Sequence, residues 1–568
     1  MTTPPSPGPG PASAARFDAF RALAGRGDRP GERLVDALAA ARRPTREPPG
    51  AWAPRVAADS GLPGAAGLGP ASYYADLATP RGRRHVRVCS ATACFSVTGG
   101  GHLQQVEEIL GVTADHVRDD GSVSLQTVRC LGFCYAGPAA LDGDTPCAGA
   151  SLPAQLAGRE PARAPEIPAA DATGDPVLLG GVLGGERPWQ VWPGVVTSGT
   201  RDGVLAEVAA SGLRGRGGAG FPVAAKWGST GGALDAVVVA NGDEGDPGSF
   251  ADRLLMEADP GRVLEGLALA CFACGAARGV VLVRSEYPRA LARLREALDD
   301  AYAAGHLGPA VHGTSTRLDI GVVAGAGSYV AGEETALIAG LEGARGCARP
   351  RPPYPTQRGV WDAPTVVHNV ETLAALPWIV RRGGEAYARR GTPDESGTKL
   401  VCLSERFARP GCYEVELGTP LERIVTGLGG GLKDGARPAV VQVGGPLGGF
   451  LAGDRLDVPL TEVALAGRGA ALGHAGLVAL DDRVEPAAVL RHVWEFAAAE
   501  SCGACSPCRV GSRRGLEIAA AGGPPDEDYG RMLRLLAEAS LCAFGRRIPP
   551  AVRTLARAYG DRLPGWPR

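Results

Sequence analysis

Cysteine placement narrows what this chain can fold into more than any other feature of its sequence. Cys502, Cys505 and Cys508 stand in ESCGACSPCRVG, a C-x2-C-x2-C run, and Cys542 follows in SLCAFGRRIP after 33 intervening residues. Three thiolates at this pitch can hold three corners of a cubane, and a fourth from a neighbouring helix completes the ligation. Small residues in CGAC and CSPC let backbone N–H groups approach the sulfides. The competing reading is structural zinc, where CxxC pairs are common, but zinc normally takes two pairs and the third closely spaced cysteine fits it poorly. A second set is Cys89-x4-Cys94 with Cys130-x3-Cys134. Its spacing suits a [2Fe–2S] cluster, two thiolates per iron, or one zinc ion, and does not choose between them. The other six cysteines (147, 271, 274, 347, 402, 412) read as packing residues, including the CFAC pair at 271 and 274 in an apolar helix.

Fourteen cysteines would usually mean disulfides in an oxidising compartment. The N-terminus, MTTPPSPGPGPASAAR, lacks the basic and apolar regions of a signal peptide. The most apolar window, 266–277, is too short to span a bilayer. A reducing, cytoplasmic location without direct membrane insertion is the expectation, and the thiols are left for metal. With 59 Lys+Arg against 61 Asp+Glu, nothing points to nucleic acid.

Along the chain, residues 1–16 carry five prolines and read as a disordered tail, and the lead-in to residue 80 reads as helical. A unit at 81–150 opens on the strand RRHVRVCS and contains the second cysteine set. Residues 151–195 hold seven prolines and read as a linker. Strands DAVVVAN, RGVVLVR and TRLDIGVVAG then alternate with helices over 196–390, which argues for a parallel, doubly wound sheet. In one of those helices Asp259 is expected as N-cap with Pro260 at the first helical position. Residues 391–485 turn β-rich as a small α+β unit, and 486–568 read as helices around the cubane cysteines.

Two loops carry further chemistry. SGLRGRGGAGFPVAAKW contains Gly215-x-Gly217-x-x-Gly220, but a helix-like segment precedes it, so the dinucleotide fingerprint fails on context. Backbone N–H groups with Arg214, Arg216 and Lys226 can still surround a phosphate. NGDEGDPG follows DAVVVAN at the end of a strand, where open α/β sheets bind ligands, and GSYVAGEETA follows TRLDIGVVAG in the same way. Together they indicate a nucleotide-type site.

GLRGRGGAGFP, NGDEGDPGSF, GSYVAGEETAL, RPPYP, HNVETL and ESCGACSPC…SLC stand in the order found in the flavin-carrying subunit of NADH dehydrogenases. The chain resembles that family from about 195 to 555. The family takes in respiratory complex I, NAD-reducing hydrogenases and NAD-dependent formate dehydrogenases. Residues 81–150 resemble its companion thioredoxin-like subunit, whose C-x4-C…C-x3-C pattern carries a [2Fe–2S] cluster. The resemblance implies a fusion of the two, a multidomain α/β protein. Its parts would be a thioredoxin-like ferredoxin domain, a Rossmann-like FMN- and NADH-binding domain, a ubiquitin-like α+β domain and a C-terminal helical bundle with a [4Fe–4S] cluster.

It also implies FMN along Gly215, Arg216, Gly217 and Gly218 with Lys226 near its phosphate. Asn241, Asp243, Glu244, Tyr329, Gly332, Glu333, Asn369 and Thr372 would line the flavin. NAD(H) would stack near Phe221 and Tyr354, with Glu334 and Arg351 on the dinucleotide. Glu244 and Glu334 are the implied catalytic residues, orienting nicotinamide and tuning the flavin. The cysteines would hold [4Fe–4S] at 502, 505, 508 and 542 and [2Fe–2S] at 89, 94, 130 and 134. The sequence departs from the family at His368-Asn369, where the family has two adjacent asparagines, and at Arg351 for Lys, Ser229 for Phe and Asp246 for Glu. EGDPG and LSERFARPG are closer to the soluble relatives. The expected function is a diaphorase subunit partnered by a separate molybdenum formate dehydrogenase or nickel hydrogenase subunit, and possibly by further iron–sulfur subunits. Alternatives are the NADH-binding subunit of complex I and a non-catalytic zinc-stabilised scaffold.

Overall fold

The computed structural model describes residues 34–42, 47–163, 165–230, 236–523 and 525–568. The proline-rich tail and the FDAFRALAG segment lie outside the described residues. Short helices at Leu34–Ala41, Pro49–Asp59 and Gly64–Ala71 lead into the first sheet.

That sheet comprises β1 (Arg84–Cys89), β2 (His116–Val117), β3 (Val123–Val128), β4 (Ala139–Asp142) and β5 (Thr145–Ala148), in the order β2-β3-β1-β4-β5. β1 and β3 are parallel and the remaining pairs antiparallel. Val86, Val88 and Leu125 bury one face against Val106 and Leu110 of the crossover helix Gly101–Leu110. β1 ends on Cys89, Cys94 lies in the next helix, Thr92–Thr98, and Cys130 and Cys134 follow β3. All four thiols therefore collect at one end of the sheet.

A three-residue strand, β6 (Ala170–Ala172), precedes the second sheet of β7 (Val237–Gly242), β8 (Arg278–Val283), β9 (Asp319–Ala324) and β10 (Thr365–Asn369). The order β10-β7-β8-β9 is parallel throughout, as the buried Val- and Ile-rich strands require. The chain leaves β7 toward β8 on one side and returns as β10 on the other, so a topological switch point lies between β7 and β10. Leu291, Leu294 and Leu298 of helix Pro288–Ala303 pack inward as their spacing indicates. Pro260 does open its helix, but Asp259 makes no cap hydrogen bond; its carboxylate accepts from Arg262 Nε at 2.9 Å instead. A buried guanidinium outcompetes a cap there.

The third sheet holds β11 (Thr398–Leu403), β12 (Gly411–Glu416), β13 (Val440–Val443), β14 (Phe450–Ala452) and β15 (Gly476–Leu480). Two hairpins flank a central β15 that runs parallel to β11, in the order β14-β13-β15-β11-β12, the strand arrangement of a ubiquitin-like fold. β6 extends its edge alongside β12, so the proline-rich segment is packed as well as connecting. Glu414 fixes it by accepting from the N–H groups of Val177, Leu178 and Leu179.

Four helices, Pro486–Glu500, Ser506–Ala520, Glu527–Ala539 and Ala543–Tyr559, complete the fold. Among the described residues no helix is long and apolar enough to cross a membrane. The first of these helices meets the first sheet's domain through His492, whose ring stacks on Phe95 at 4.3 Å.

Burial of His492, with Arg129 nearby, lowers its pKa to about 3, against about 6.5 in an unfolded chain. The unfolded state therefore binds the extra proton between these values, and stability falls as pH drops through that window, by up to about 1.4 kcal/mol per pH unit. Urea midpoints measured from pH 7 to 4 are expected to fall less steeply in His492→Phe, which keeps the stack. Equal slopes would show that His492 does not contribute.

Candidate functional site

Asn241, next to last in β7, and Asn369, last in β10, are register partners, so two amides stand side by side at the switch point. The Asn241 side chain donates to the Gly332 carbonyl at 2.8 Å and accepts from Asp243 N–H at 3.1 Å, joining the acidic loop to the 327–336 loop. Asn369 caps the helix Val370–Ala374 by accepting from Thr372 N–H, and donates to Asp252.

The glycine loop closes on itself before it meets these amides. Gly215 N–H donates to the Phe221 carbonyl at 3.0 Å, and Val223 N–H to that of Leu213 at 3.0 Å. The helix Arg201–Ser211 precedes the loop, consistent with a non-Rossmann phosphate cradle. Thr372 Oγ accepts from Arg216 N–H at 2.8 Å, and the buried Lys399 donates to the Arg216 carbonyl at 3.1 Å. The backbone runs so close to β10 that a Cβ on Gly217 would come within 2.8 Å of Asn369 Cβ. Gly218 has φ +97°, which a residue with a side chain rarely adopts. Gly217 and Gly218 are exposed, leaving bare backbone on the open side.

Asp243 Oδ2 is buried with no hydrogen-bond partner, and burial raises this carboxyl to about 7. A flavin mononucleotide carries a ring N–H donor and an anionic phosphate, so an unsatisfied acceptor beside an exposed glycine cradle of backbone N–H groups at a switch point fits one. Asp246 accepts from Tyr329 Oη and lies 2.8 Å from His474 Nδ1. The Tyr329 ring also meets Phe496 at 5.1 Å and Phe544 at 5.6 Å, reaching the cubane domain two residues from Cys542.

Lys226 donates to Glu334 at 2.8 Å and to the Val367 carbonyl at 2.9 Å, and Arg351 bonds both Glu334, at 2.7 Å, and Glu333. This Lys–Glu–Arg chain lines the approach to the cradle. Glu333 also caps the helix Glu334–Leu341 by accepting from Thr335 and Ala336 N–H. Phe221 and Tyr354 are 54% and 53% exposed, aromatic faces open to a base or nicotinamide. The Ser229 hydroxyl turns back onto the Lys226 carbonyl.

Three of the expected site residues make bonds that their motifs did not indicate. Glu244 is engaged within the protein. Its carboxylate accepts from Ser249 Oγ and from the N–H groups of Asp252 and Arg253. It caps the helix Ala251–Ala258, because that N-terminus offers concentrated N–H donors in a buried place. His368 is likewise engaged within the protein. It is buried and accepts from Trp227 Nε1 at 2.7 Å, and burial with nearby Lys226 holds its pKa well down, so the ring stays neutral. The Arg216 guanidinium turns away from the loop to Tyr387 Oη and the Ser396 carbonyl, leaving only its backbone on the cradle. Sequence reading missed Asp252, which burial and Glu244 raise to about 8, and His474. Asp252 closely follows the acidic loop, a usable signal; an isolated histidine in LGHAGL gives none.

The thiol sets are both assembled. Cys130 and Cys134 sulfurs are 3.5 Å apart; Gly132 N–H donates to Cys130 Sγ at 3.3 Å, and Gly248 N–H of the acidic loop donates to Cys134 Sγ at 3.3 Å. Cys89 lies within hydrogen-bond reach of both Cys94 and Cys130. In the second set Leu541 N–H points at Cys505 Sγ at 3.4 Å, and Ser501 Oγ contacts Cys508 Sγ at 3.2 Å. Four thiolates in each set match the all-cysteine ligation of an iron–sulfur cluster.

Three family models match: thioredoxin-like [2Fe-2S] ferredoxin over 22–150, Nuo51 FMN-binding domain over 208–378, and the NADH-ubiquinone oxidoreductase-F iron-sulfur binding region over 488–564. The HndC component of a NADP-reducing hydrogenase from Solidesulfovibrio fructosivorans is 41% identical over 361 residues, 62% of this chain and 74% of that protein. The F component of NADH-quinone oxidoreductase from Escherichia coli K12 is 40% identical over 313 residues, 55% of this chain and 70% of that one. A chain from the crystal structure of an NAD+-reducing [NiFe]-hydrogenase in the H2-reduced state overlays with TM-score 0.83 and 31% identity, covering 93% of this chain and 91% of its own length.

Removing the Glu244 side chain leaves two helix N–H groups and the Ser249 hydroxyl without their acceptor, while the Tyr287 hydroxyl keeps the backbone carbonyl of residue 244. Glu244→Ala is therefore expected to cost on the order of 2–4 kcal/mol in urea unfolding. A loss below about 0.5 kcal/mol, the range of a plain surface substitution, would show that the cap is not structural. The chain belongs to the family of FMN- and iron–sulfur-carrying NADH dehydrogenase subunits that includes the F component of NADH-quinone oxidoreductase and the corresponding components of NAD(P)-reducing hydrogenases.

Proposed function

We propose that this chain is the NAD(H)-facing diaphorase subunit of a soluble complex whose other half-reaction belongs to a separate metal-containing subunit of nickel hydrogenase or molybdenum formate dehydrogenase type. The observation that carries this reading is the fusion. All three cofactor regions lie in one polypeptide, and a chain of an NAD+-reducing [NiFe]-hydrogenase overlays 93% of it. The match to the Escherichia coli NADH-quinone oxidoreductase component covers 55% of the chain, and its 40% identity supports the second reading, a complex I subunit.

The backbone of 215–218 would hold the FMN phosphate, and Asn241, Asp243, Gly332, Asn369 and Thr372 would hold the ring system. Bound FMN supplies the conversion between a hydride and single electrons, and the clusters carry those electrons onward. Phe221 and Tyr354 would stack the dinucleotide's rings. Arg351 and Lys226 are already paired with Glu333 and Glu334, so a pyrophosphate would compete for cations whose positions are set in advance. Glu334 would orient nicotinamide. Tyr329 packs between the acidic loop and the cubane domain. Cys502, Cys505, Cys508 and Cys542 would ligate [4Fe–4S], and Cys89, Cys94, Cys130 and Cys134 [2Fe–2S]. We assign the units 81–150, 196–390, 391–485 and 486–568 to [2Fe–2S], FMN/NADH, ubiquitin-like and [4Fe–4S] duties.

Cys505→Ala is expected to keep flavin-dependent NADH–ferricyanide activity while losing electron transfer to the partner subunit. Survival of both activities would remove the cubane from the path.

A further inference from the structure

His474 belongs to the third sheet's domain, in the loop before β15, yet it stands where the glycine and acidic loops meet. A Cβ on Gly218 would lie 3.4 Å from Gly473 Cα, so the residue before His474 touches the glycine loop. The imidazole itself holds Asp246 of the acidic loop at 2.8 Å. Its other ring nitrogen, Nε2, makes no hydrogen bond to any described residue. Of the other cations near these loops, Arg216 is committed to Tyr387 and Ser396, Lys226 to Glu334, Arg284 to Glu286 and Lys399 to Glu371, while the exposed Arg214 turns onto the Gly220 carbonyl of its own loop.

Asp246, Asp252 and Glu244 are the charged groups acting on His474, and Tyr329 Oη shares Asp246 with it. Burial opposes a positive ring, but the Asp246 hydrogen bond and the field of the three carboxylates outweigh it and raise the imidazole to about 9. The same enclosure lifts Asp243 to about 7 and Asp252 to about 8, so added negative charge is costly in this space. A hydride brings two electrons and one proton. Its transfer breaks the nicotinamide C–H bond, leaves NAD+ and gives the acceptor one net negative charge.

Building on the flavin reading above, we propose that His474 is a positioning residue for the hydride-transfer step: its cationic ring, fixed by Asp246 between the two loops, offsets the negative charge the site gains on reduction.

Spectroelectrochemical titration of the flavin in the full-length protein, from pH 6.5 to 10, tests this in wild type, His474→Gln and His474→Lys. The Gln variant is expected to shift the NADH–flavin equilibrium about tenfold against reduction at pH 7.5, about 30 mV for a two-electron couple, and Lys to restore it. In wild type the potential should fall more steeply across pH 9, as the ring loses its charge, than it does in the Gln variant. A flavin-bound Gln variant with unchanged potential overturns the proposal. So does a lowered potential that Lys does not rescue, which marks packing rather than charge. A wild-type curve without added slope near pH 9 also overturns it, and needs no variant to fold. A wild type that binds no flavin overturns the functional reading, and this proposal with it.

Discussion

An enclosed guanidinium must find its acceptors inside the protein, and Arg284 finds them in three places at once. It bonds the Glu286 carboxylate, the Glu244 carbonyl of the acidic loop at 2.6 Å and the Cys130 carbonyl at 2.8 Å. Removing one partner of such a buried set strands the others at a cost of roughly 3–5 kcal/mol. Arg253 repeats the arrangement from the helix that Glu244 caps, donating to the Gly132 carbonyl at 2.8 Å with its guanidinium 3.9 Å over Phe133. The thiols of the first domain and the loop that ends β7 are therefore positioned by the same buried charges. Neither moves without the other.

From that fixed loop the rest of the site follows. β7 and β10 deliver Asn241 and Asn369 to the switch point, the glycine loop is held against them through Arg216 and Thr372, and Tyr329 spans to the helices that carry the second thiol set. The third sheet completes the enclosure, with the Glu405 N–H on the Cys134 carbonyl and His474 on Asp246. Fusion of the thioredoxin-like domain into the same chain suits this contact-rich junction, since it keeps two interlocking surfaces at high effective concentration.

Much of this was legible in the sequence because it depends on spacing. Cysteine intervals, the β-branched runs of β7 to β9, the leucine face of Pro288–Ala303 and the glycine cradle are local patterns with local causes. The protein partners of Glu244 and His368 were not legible, because a motif reports which residue stands at a position, not which donor reaches it first. A nearby helix N-terminus took the Glu244 carboxylate, and the Trp227 indole took the His368 ring. Asp259 went the same way, to Arg262. β6 escaped notice because three residues in a proline-rich segment carry no periodicity, and their strand exists only through pairing with β12. His474 comes to the site from 228 residues beyond its partner Asp246, a distance that no local pattern spans.

Metal and flavin analysis of the purified protein, joined to electron paramagnetic resonance after NADH addition, tests this arrangement most directly. The account predicts one FMN and about six iron atoms per chain, with NADH generating separate binuclear and cubane signals. A colourless protein with zinc in place of iron, or iron clusters that NADH leaves unreduced, would contradict it.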